Sequence, residues 1–415
     1  MKQSEHSHNL DIQVTLFEKN QFLGGRLQYV VFNGSLYEVG GDSWFDKNYH
    51  VESFVNQFGI ERANCEAGNV GVWNGKEFLF QETSNQWRDM LVGLWKYGLS
   101  PLRLNDILLD VTAKFYKQYE KDFGTWESIE EWAQRLDLNN VLNVSLEEYL
   151  SKDLSQDFLN EIIYGITKVI YQQEPENIHA LSGLIAFIGA TAETGSLYSA
   201  KEGNRKIVEN LVEYANPTLR LGWKVKSIKK TPSDTYIIIS TDGDEIVTEI
   251  FDYVILASPY ETSRITFEGI PTPPPINYVN VVVTLVNAKL SSSYFGDPTY
   301  LPNNIFISKD SNNVPWTIFS RRSANSTIYK FFSPTKLDLS VYFEEVYEKV
   351  EKIFAAYPVM PPKSQYAPII LAPNFYYPSA FDQVISCMEG AATSSHNVVE
   401  LLVQSLLKNA GKTEL

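Results

Sequence analysis

Cysteine is scarce in this chain: its 415 residues include two, Cys65 and Cys387. No CxxC pair and no Cys/His cluster with ligand spacing is present, and none of the five histidines sits in an HExxH pattern. A metal site is therefore not expected. Positive charge is also in short supply. The formal net charge is −15, and no Lys/Arg-rich stripe appears, so nucleic acid and anionic membrane are poor partners for the chain as a whole. Long apolar runs are missing too. The longest, residues 181–192, is broken by Gly183 and Gly189 and falls short of the ~20 residues of a transmembrane helix. Residues 1–10 are polar, so no signal peptide is visible.

Aromatic residues are plentiful, with 24 Tyr, 23 Phe and 8 Trp. That many rings can build a large core and also line a pocket for a flat or greasy ligand. The length exceeds one ordinary domain of ~100–200 residues and points to two or three structural units. Three glycosylation sequons, at Asn33, Asn143 and Asn325, are about what an Asn-rich chain carries by chance.

Residues 12–18 alternate apolar and polar and read as a strand. Gly24, Gly25 and Arg26 follow. Residues 27–32 and 35–39 then read as a hairpin across Asn33-Gly34, the dipeptide favoured in two-residue turns. A second glycine pair, Gly40-Gly41, comes next. From about residue 85 to 192 the pattern is helical, with i, i+3, i+4 apolar spacing over 126–136 and 146–171. Ser145 and Glu148 form a capping-box signature for the second of these. Gly203-Asn204 precedes an amphipathic segment at 205–214. Strands are expected at 219–229, 236–240, 246–250, 253–257 and 279–287, with a Pro-rich joint at 271–275. A helix is expected over 341–357, ended by the prolines of 358–362, and another over 388–407.

Glu18 closes the first strand, and a Gly-Gly-Arg segment follows five residues later. In dinucleotide-binding folds an acidic residue at a strand end accepts hydrogen bonds from the adenosine ribose. Paired glycines let backbone approach a cofactor, and an arginine fork matches phosphate oxygens. An ordinary Gly turn with a surface arginine accounts for the same residues about as well.

Glu18 with Gly24-Gly25-Arg26, followed by Tyr37-Glu38-Val39-Gly40-Gly41, resembles the flavin amine oxidase and phytoene desaturase superfamily. The stretch from Trp223 to Ile228, with Val225 at its centre, is similar to that superfamily's adenine-contacting strand. Residues 251–259 resemble its return strand. Ser386-Cys387-Met388-Glu389 opens the last helix as the superfamily's flavin-facing helix does. Within the superfamily, the aromatic run at 374–381, Asn397, and Gly195 to Tyr198 leading into Glu202-Gly203-Asn204 are similar to the prenylcysteine oxidase (farnesylcysteine lyase) family. Glu202 departs from that family, which has a glycine there. A larger departure is the family's opening strand with its Gly-x-Gly-x-x-Gly loop, which this sequence lacks.

The resemblance implies an α/β fold: a Rossmann-like FAD-binding domain split in sequence (1–84, 195–265 and 370–415), with its first βα unit missing. A helical insertion (85–194) and a mixed α+β substrate segment (266–369) would complete the chain. It implies FAD as cofactor, held by Glu18, Gly24, Gly25, Arg26, Gly40, Gly41, Val225, Met388 and Glu389. It implies a thioether oxidase that uses O2 to release cysteine, a prenyl aldehyde and hydrogen peroxide from a prenylcysteine, in a lysosomal, vacuolar or other endomembrane compartment. No catalytic base stands out. Two alternatives remain: another flavin oxidase acting on amines or polyenes, and a binding protein without cofactor.

Overall fold

Thirteen residues from Tyr278 to Leu290, rich in valine, decide the largest sheet: a strand this apolar must be covered on both faces. The computed structural model describes residues 12–65, 68–83, 86–188, 196–296, 301–311 and 313–409. In chain order the strands begin with β1 (Thr15–Glu18), β2 (Tyr29–Phe32), β3 (Ser35–Glu38), β4 (Trp44–Phe45), β5 (Arg62–Asn64), β6 (Val70–Trp73), β7 (Phe78–Gln81) and β8 (Leu197–Ala200). Next come β9 (Thr218–Leu221), β10 (Lys224–Lys230), β11 (Tyr236–Thr241), β12 (Ile246–Phe251), β13 (Val254–Ile255) and β14 (Thr266–Glu268). The remainder are β15 (Tyr278–Leu290), β16 (Asn304–Ile307), β17 (Ile318–Arg321), β18 (Ile328–Ser333), β19 (Phe343–Pro358), β20 (Ile370–Ala372) and β21 (Phe375–Tyr376).

The seven-stranded sheet runs β19-β15-β18-β17-β16-β6-β7. On one face of β15, Val281, Val283 and Leu285 pack with Phe32, Tyr37 and Val39 of the β2–β3 hairpin. On the other, Val286 and Ala288 join Trp316, Phe319 and Phe331. The helix expected over 341–357 is instead β19, paired antiparallel with β15 along its whole length. Its Glu/Lys-rich sequence suits a helix by local propensity. The long buried strand beside it leaves a row of backbone groups that only another strand can satisfy, and this tertiary demand wins. The same charges then guard an exposed sheet edge. Strands β6 and β7, expected with the N-terminal unit of 1–84, also belong to this sheet, through parallel pairing of β6 with β16.

The expected hairpin is present. Asn33 and Gly34 have φ of 48° and 72°, the all-positive geometry of a tight turn that follows strand twist. Strand β1 pairs in parallel with β9, and β10 to β12 form an antiparallel meander with β14 added in parallel on the free side of β10. The fold class is mixed α/β, as expected.

The helical stretch holds the Gln86–Tyr97 and Ser100–Tyr116 helices and several short ones. The spacing over 146–171 is broken into Leu146–Leu150, Gln156–Phe158, a wider π turn at Leu159–Ile163, and Tyr164–Tyr171. Ser145 caps the first of these by accepting from the Glu148 N–H, and Ser155 caps the second. Trp126 and Trp132 pack on Phe381 at 5.3 and 4.9 Å, docking this unit onto the segment before the C-terminal helix Met388–Asn409. Asn397 on that helix accepts from the Trp126 N–H and donates to its carbonyl. The aromatic run at 375–381 is core, with β21 pairing both β13 and β20. Gly195 lies outside the described residues. Among those described, no helix is long and apolar enough to cross a membrane, and no group of three or more His, Cys, Asp or Glu is placed to hold a metal ion.

Candidate functional site

The two glycine pairs are joined through Arg26, whose carbonyl oxygen packs against the second pair. Gly24 and Gly25 carry φ of 103° and 55°. A Cβ on Gly24 would sit 2.7 Å from Cγ of Arg205, the first residue of the Arg205–Ala215 helix. A Cβ on Gly40 would lie 1.8 Å from the Arg26 carbonyl oxygen, and the Gly41 N–H donates to that same oxygen at 3.1 Å. Gly24-Gly25-Arg26 and Gly40-Gly41 thus form one tightly packed loop pair.

The Arg26 side chain reaches across to the C-terminal segment. Nη2 donates to both carboxylate oxygens of Asp382 at 3.0 Å, and Nη1 donates to the Ala356 carbonyl at 2.9 Å and the Ser386 hydroxyl at 3.1 Å. Tyr278 donates its hydroxyl to Asp382 at 3.0 Å. Burial works against the Arg26 charge, but the Asp382 carboxylate outweighs it and lifts the guanidinium above its ordinary value. In the structure the Arg26 fork holds a carboxylate of the protein itself. The reason is geometric: Asp382 sits on the short helical turn Pro378–Gln383, which packing aims at the Arg26 loop.

Four residues on from Asp382, Ser386 leads into the N-terminus of the 22-residue helix Met388–Asn409. The first N–H groups of such a helix lack partners in the helix and carry partial positive charge. Solvent reaches Cys387, while the protein packed around its sulfur pushes the thiol up to about 11. Arg26 keeps 39% of its side chain accessible above the nearly buried Asp382. Burial also pushes the half-buried Tyr357 up to about 12. Arg26 and Cys387 thus place partly accessible polar groups beside this helix end.

Glu389 was expected to face the cofactor. Its side chain is instead buried beneath the helix, where it accepts from the N–H groups of His50 and Val51 and from the Tyr119 hydroxyl. It caps the Tyr49–Gln57 helix, so its carboxylate is a structural clamp and only its backbone remains for a ligand. Met388 packs its side chain on the core formed by Trp44, Val51 and Ile207.

Glu18 stands at the end of β1, where Oε1 accepts from the N–H and the side-chain amide of Asn20. Asn20 in turn accepts from the Gly222 N–H in the turn before β10, tying the Glu18 corner to the start of β10. Strand β10 bulges between Val225 and Ser227 in its pairing with β11, and its pairing with β14 begins only at Ser227. Val225 itself pairs with Ser240 of β11, just before the bulge, and on its β14 side the ladder has not yet begun.

A cleft lined by Leu159, Tyr164 and Lys309 lies elsewhere and contains none of these residues; Lys309 bridges Glu147 and Glu176 across it.

The sequence profile of the prenylcysteine lyase family matches residues 80–414. The chain belongs to the prenylcysteine lyase family. Prenylcysteine oxidase 1 of Rattus norvegicus is 28% identical over 429 residues, covering 94% of this chain and 83% of the relative. Farnesylcysteine lyase of Arabidopsis thaliana is 26% identical over 422 residues, covering 95% and 83%. Among solved structures, a putative protoporphyrinogen oxidase from Exiguobacterium sp. 255-15 is similar with a TM-score of 0.63 at 12% identity, covering 98% of this chain and 95% of that one. Cyclohexylamine oxidase from Brevibacterium oxydans IH-35A gives 0.59 at 12%, covering 97% and 95%. At those identities the structures establish a shared fold.

In this prenylcysteine lyase family member several residues packed around the Arg26 and Gly40-Gly41 loops escaped the sequence reading. Asp382 and Tyr278 are 104 residues apart and carry no local signature. Glu38 and Asn204 lay within quoted motifs without a role. The structure buries Glu38, with the Asn204 N–H donating to Oε1 at 2.6 Å and Oε2 left without a hydrogen-bond partner. Burial pushes the Glu38 carboxyl up to about 7. Asn204 also donates to the Gly41 and Asp42 carbonyls and accepts from the Ala200 N–H, fixing the second glycine pair against the Arg205–Ala215 helix. A buried Asn before a helix is a cue that the pair Gly203-Asn204 offered.

The arrangement is suited to a flavin dinucleotide at three points. Val225 has an edge outside the ladder on its β14 side, the Glu18 corner adjoins it, and the Met388–Asn409 helix opens with N–H groups suited to an electron-rich ring.

Proposed function

We propose that this chain is an FAD-dependent thioether oxidase that cleaves farnesyl- or geranylgeranylcysteine. One prenylcysteine, one O2 and one water give cysteine, a prenyl aldehyde and hydrogen peroxide. The observation that carries this reading is the junction of the Arg26 loop with the segment before Met388, in a chain of the prenylcysteine lyase family.

When bound, FAD supplies a hydride acceptor for the carbon attached to sulfur, and O2 restores its oxidised form. That carbon is allylic and bears sulfur, so positive charge developing on it is stabilised. Water then adds to it, and the resulting hemithioacetal collapses to thiol and aldehyde. The protein's part is positioning. Glu18 and the Val225 backbone would hold the adenosine, and the loop pair of Gly24, Gly25, Arg26, Gly40 and Gly41 would run beside the middle of the cofactor. The Met388 and Glu389 N–H groups would face the ring and favour negative charge on it. Arg26 and Asp382 would hold the loop pair against the segment before Met388, with Tyr278 bonded to Asp382 beside them. Tyr357 is packed from behind by the buried Tyr171, edge to face at 5.3 Å.

This reading divides the chain into a discontinuous FAD-binding unit (1–84, 195–265 and 370–415), a helical insertion (85–194) and a substrate segment (266–369), with β6 and β7 lent to the substrate sheet. An endomembrane compartment fits the family, and the three sequon asparagines are all exposed.

The purified chain should show flavin absorbance and release hydrogen peroxide with farnesylcysteine in preference to a panel of amines. Colourless protein, or turnover of amines alone, would sink the proposal.

A further inference from the structure

His50 and His396 come from opposite ends of the chain and meet ring against ring. Their ring centres are 5.1 Å apart, with the planes tilted by 32°. His50 is the second residue of the Tyr49–Gln57 helix, and His396 lies about two turns into the Met388–Asn409 helix. Packing fixes the first ring, because Tyr49 and Tyr119 meet it edge to face at 5.3 and 5.5 Å. His396 is exposed, and its ring is free to turn. Among the described residues neither imidazole makes a hydrogen bond, although a ring packed as closely as His50 normally has a partner.

Two adjacent imidazoles with unpaired nitrogens are a donor set for a divalent transition metal. The spacing fits one ion between them. Zinc bonds of about 2.0 Å at a tetrahedral angle, with about 1.1 Å from each nitrogen to its ring centre, place two ligating rings about 5 Å apart. Burial and the neighbouring His396 ring push His50 down to about 4, so at neutral pH it is in the neutral form that binds metal. The Glu389 carboxylate lies beneath, where it accepts from the His50 and Val51 N–H groups and the Tyr119 hydroxyl. It adds negative charge close to the pair while its own oxygens are taken. Among the described residues no third ligand joins the two rings, so water would complete the shell and the ion would exchange, unlike one held in a closed four-ligand site.

The geometry points to an exchangeable zinc site shared by His50 and His396. An ion there ties the first turn of the Tyr49–Gln57 helix to the Met388–Asn409 helix, alongside the Glu389 clamp that already joins them. Both ties act on the helix whose first turn is proposed above to face the flavin, yet the metal site rests on the two side chains alone and not on that reaction.

The test is calorimetric titration of zinc into the full chain after EDTA treatment and desalting, with thermal melting followed in parallel and no turnover read. The variant H6A/H8A serves as the reference, because His6 and His8 are close enough in sequence to bind zinc on their own. One zinc ion per chain should bind to this reference with a Kd on the order of 10 µM, as expected of a site with half the protein ligands of a structural one. Excess zinc should raise its melting midpoint by about 3 °C. Adding H396A should weaken binding about ten-fold or more and cancel the rise, while the midpoint in EDTA stays unchanged because His396 is exposed. Adding H50Q instead should cost zinc affinity to the same degree. No binding to the reference variant overturns the proposal, and so does zinc affinity that survives either H396A or H50Q.

Discussion

Arg26 and Asp382 lie 356 residues apart in sequence, yet Nη2 of the arginine stands 3.0 Å from both carboxylate oxygens. The pair ties the loop after the first strand to the segment that opens the last helix. Asp382→Asn removes the charge while keeping the shape. With Arg26 partly open to solvent, screening limits the loss of stability to about 1–2 kcal/mol. The larger expected effect is functional: a looser loop junction and a smaller fraction of flavin retained through purification, measured by the ratio of visible to ultraviolet absorbance. Unchanged flavin content would show that the pair does not shape the site.

Gly40 and Gly25 are predicted to respond differently to alanine. At Gly40 the new methyl meets the Arg26 carbonyl at 1.8 Å, a backbone atom that cannot swing aside. Gly40→Ala should destabilise by about 3 kcal/mol or more and disrupt the loop pair. Gly25→Ala meets no atom within 4 Å and bears only the strain of φ 55°, about 1 kcal/mol. Thermal denaturation of the two variants side by side checks the order, and equal shifts would contradict it.

Glu38 sets a stability term on the alkaline side. Its folded pKa is raised by burial to about 7 from an ordinary 4.5. The folded state therefore holds the proton more tightly, and the stability this gives is complete below about 4.5 and lost as pH rises through 7. Glu38→Gln can still accept from the Asn204 N–H but does not titrate. It should be more stable than wild type above pH 7 by up to about 3 kcal/mol and show a flatter stability profile between about 4.5 and 7. Urea melts across that range give the measurement. A parallel pair of profiles would refute the assignment.

His179 acts in the opposite direction. It is fully buried, its Nε2 lies 3.0 Å from the Gln383 carbonyl, and burial pushes it down to about 4. Its contribution is present above about 6.5 and disappears as pH falls toward 4, because the unfolded chain gains the proton first. His179→Asn should lower stability at neutral pH through lost packing, yet reduce the slope of its decline below pH 6.5. A slope equal to that of wild type would place the acid sensitivity elsewhere.

Glu389 is a helix clamp, so Glu389→Ala should cost about 1–2 kcal/mol by freeing the N–H groups of His50 and Val51. Circular dichroism melting measures the loss. A loss of flavin with unchanged melting would instead return its carboxylate to the cofactor.

Some of this was legible in the sequence because it is local. The Asn33-Gly34 turn, the strand before Glu18, the cap at Ser145 and the helix from Met388 each follow from a few neighbouring residues whose backbone preferences agree. The resemblance that placed Gly24-Gly25-Arg26 and Gly40-Gly41 in one site drew on the same short motifs. Tertiary structure decided the rest. Residues 343–358 have helix-favouring composition, yet the unmet hydrogen bonds of β15 drew them into a strand. Glu389 stands where a cofactor contact was expected, but burial beneath the Tyr49–Gln57 helix gave its carboxylate backbone N–H groups to hold. Arg26 found Asp382 because packing brought two ends of the chain together, a contact that no spacing in the sequence encodes. Sequence set the backbone's local choices; the competition among distant polar groups for partners, which depends on where the chain has been folded, set what each charged side chain does.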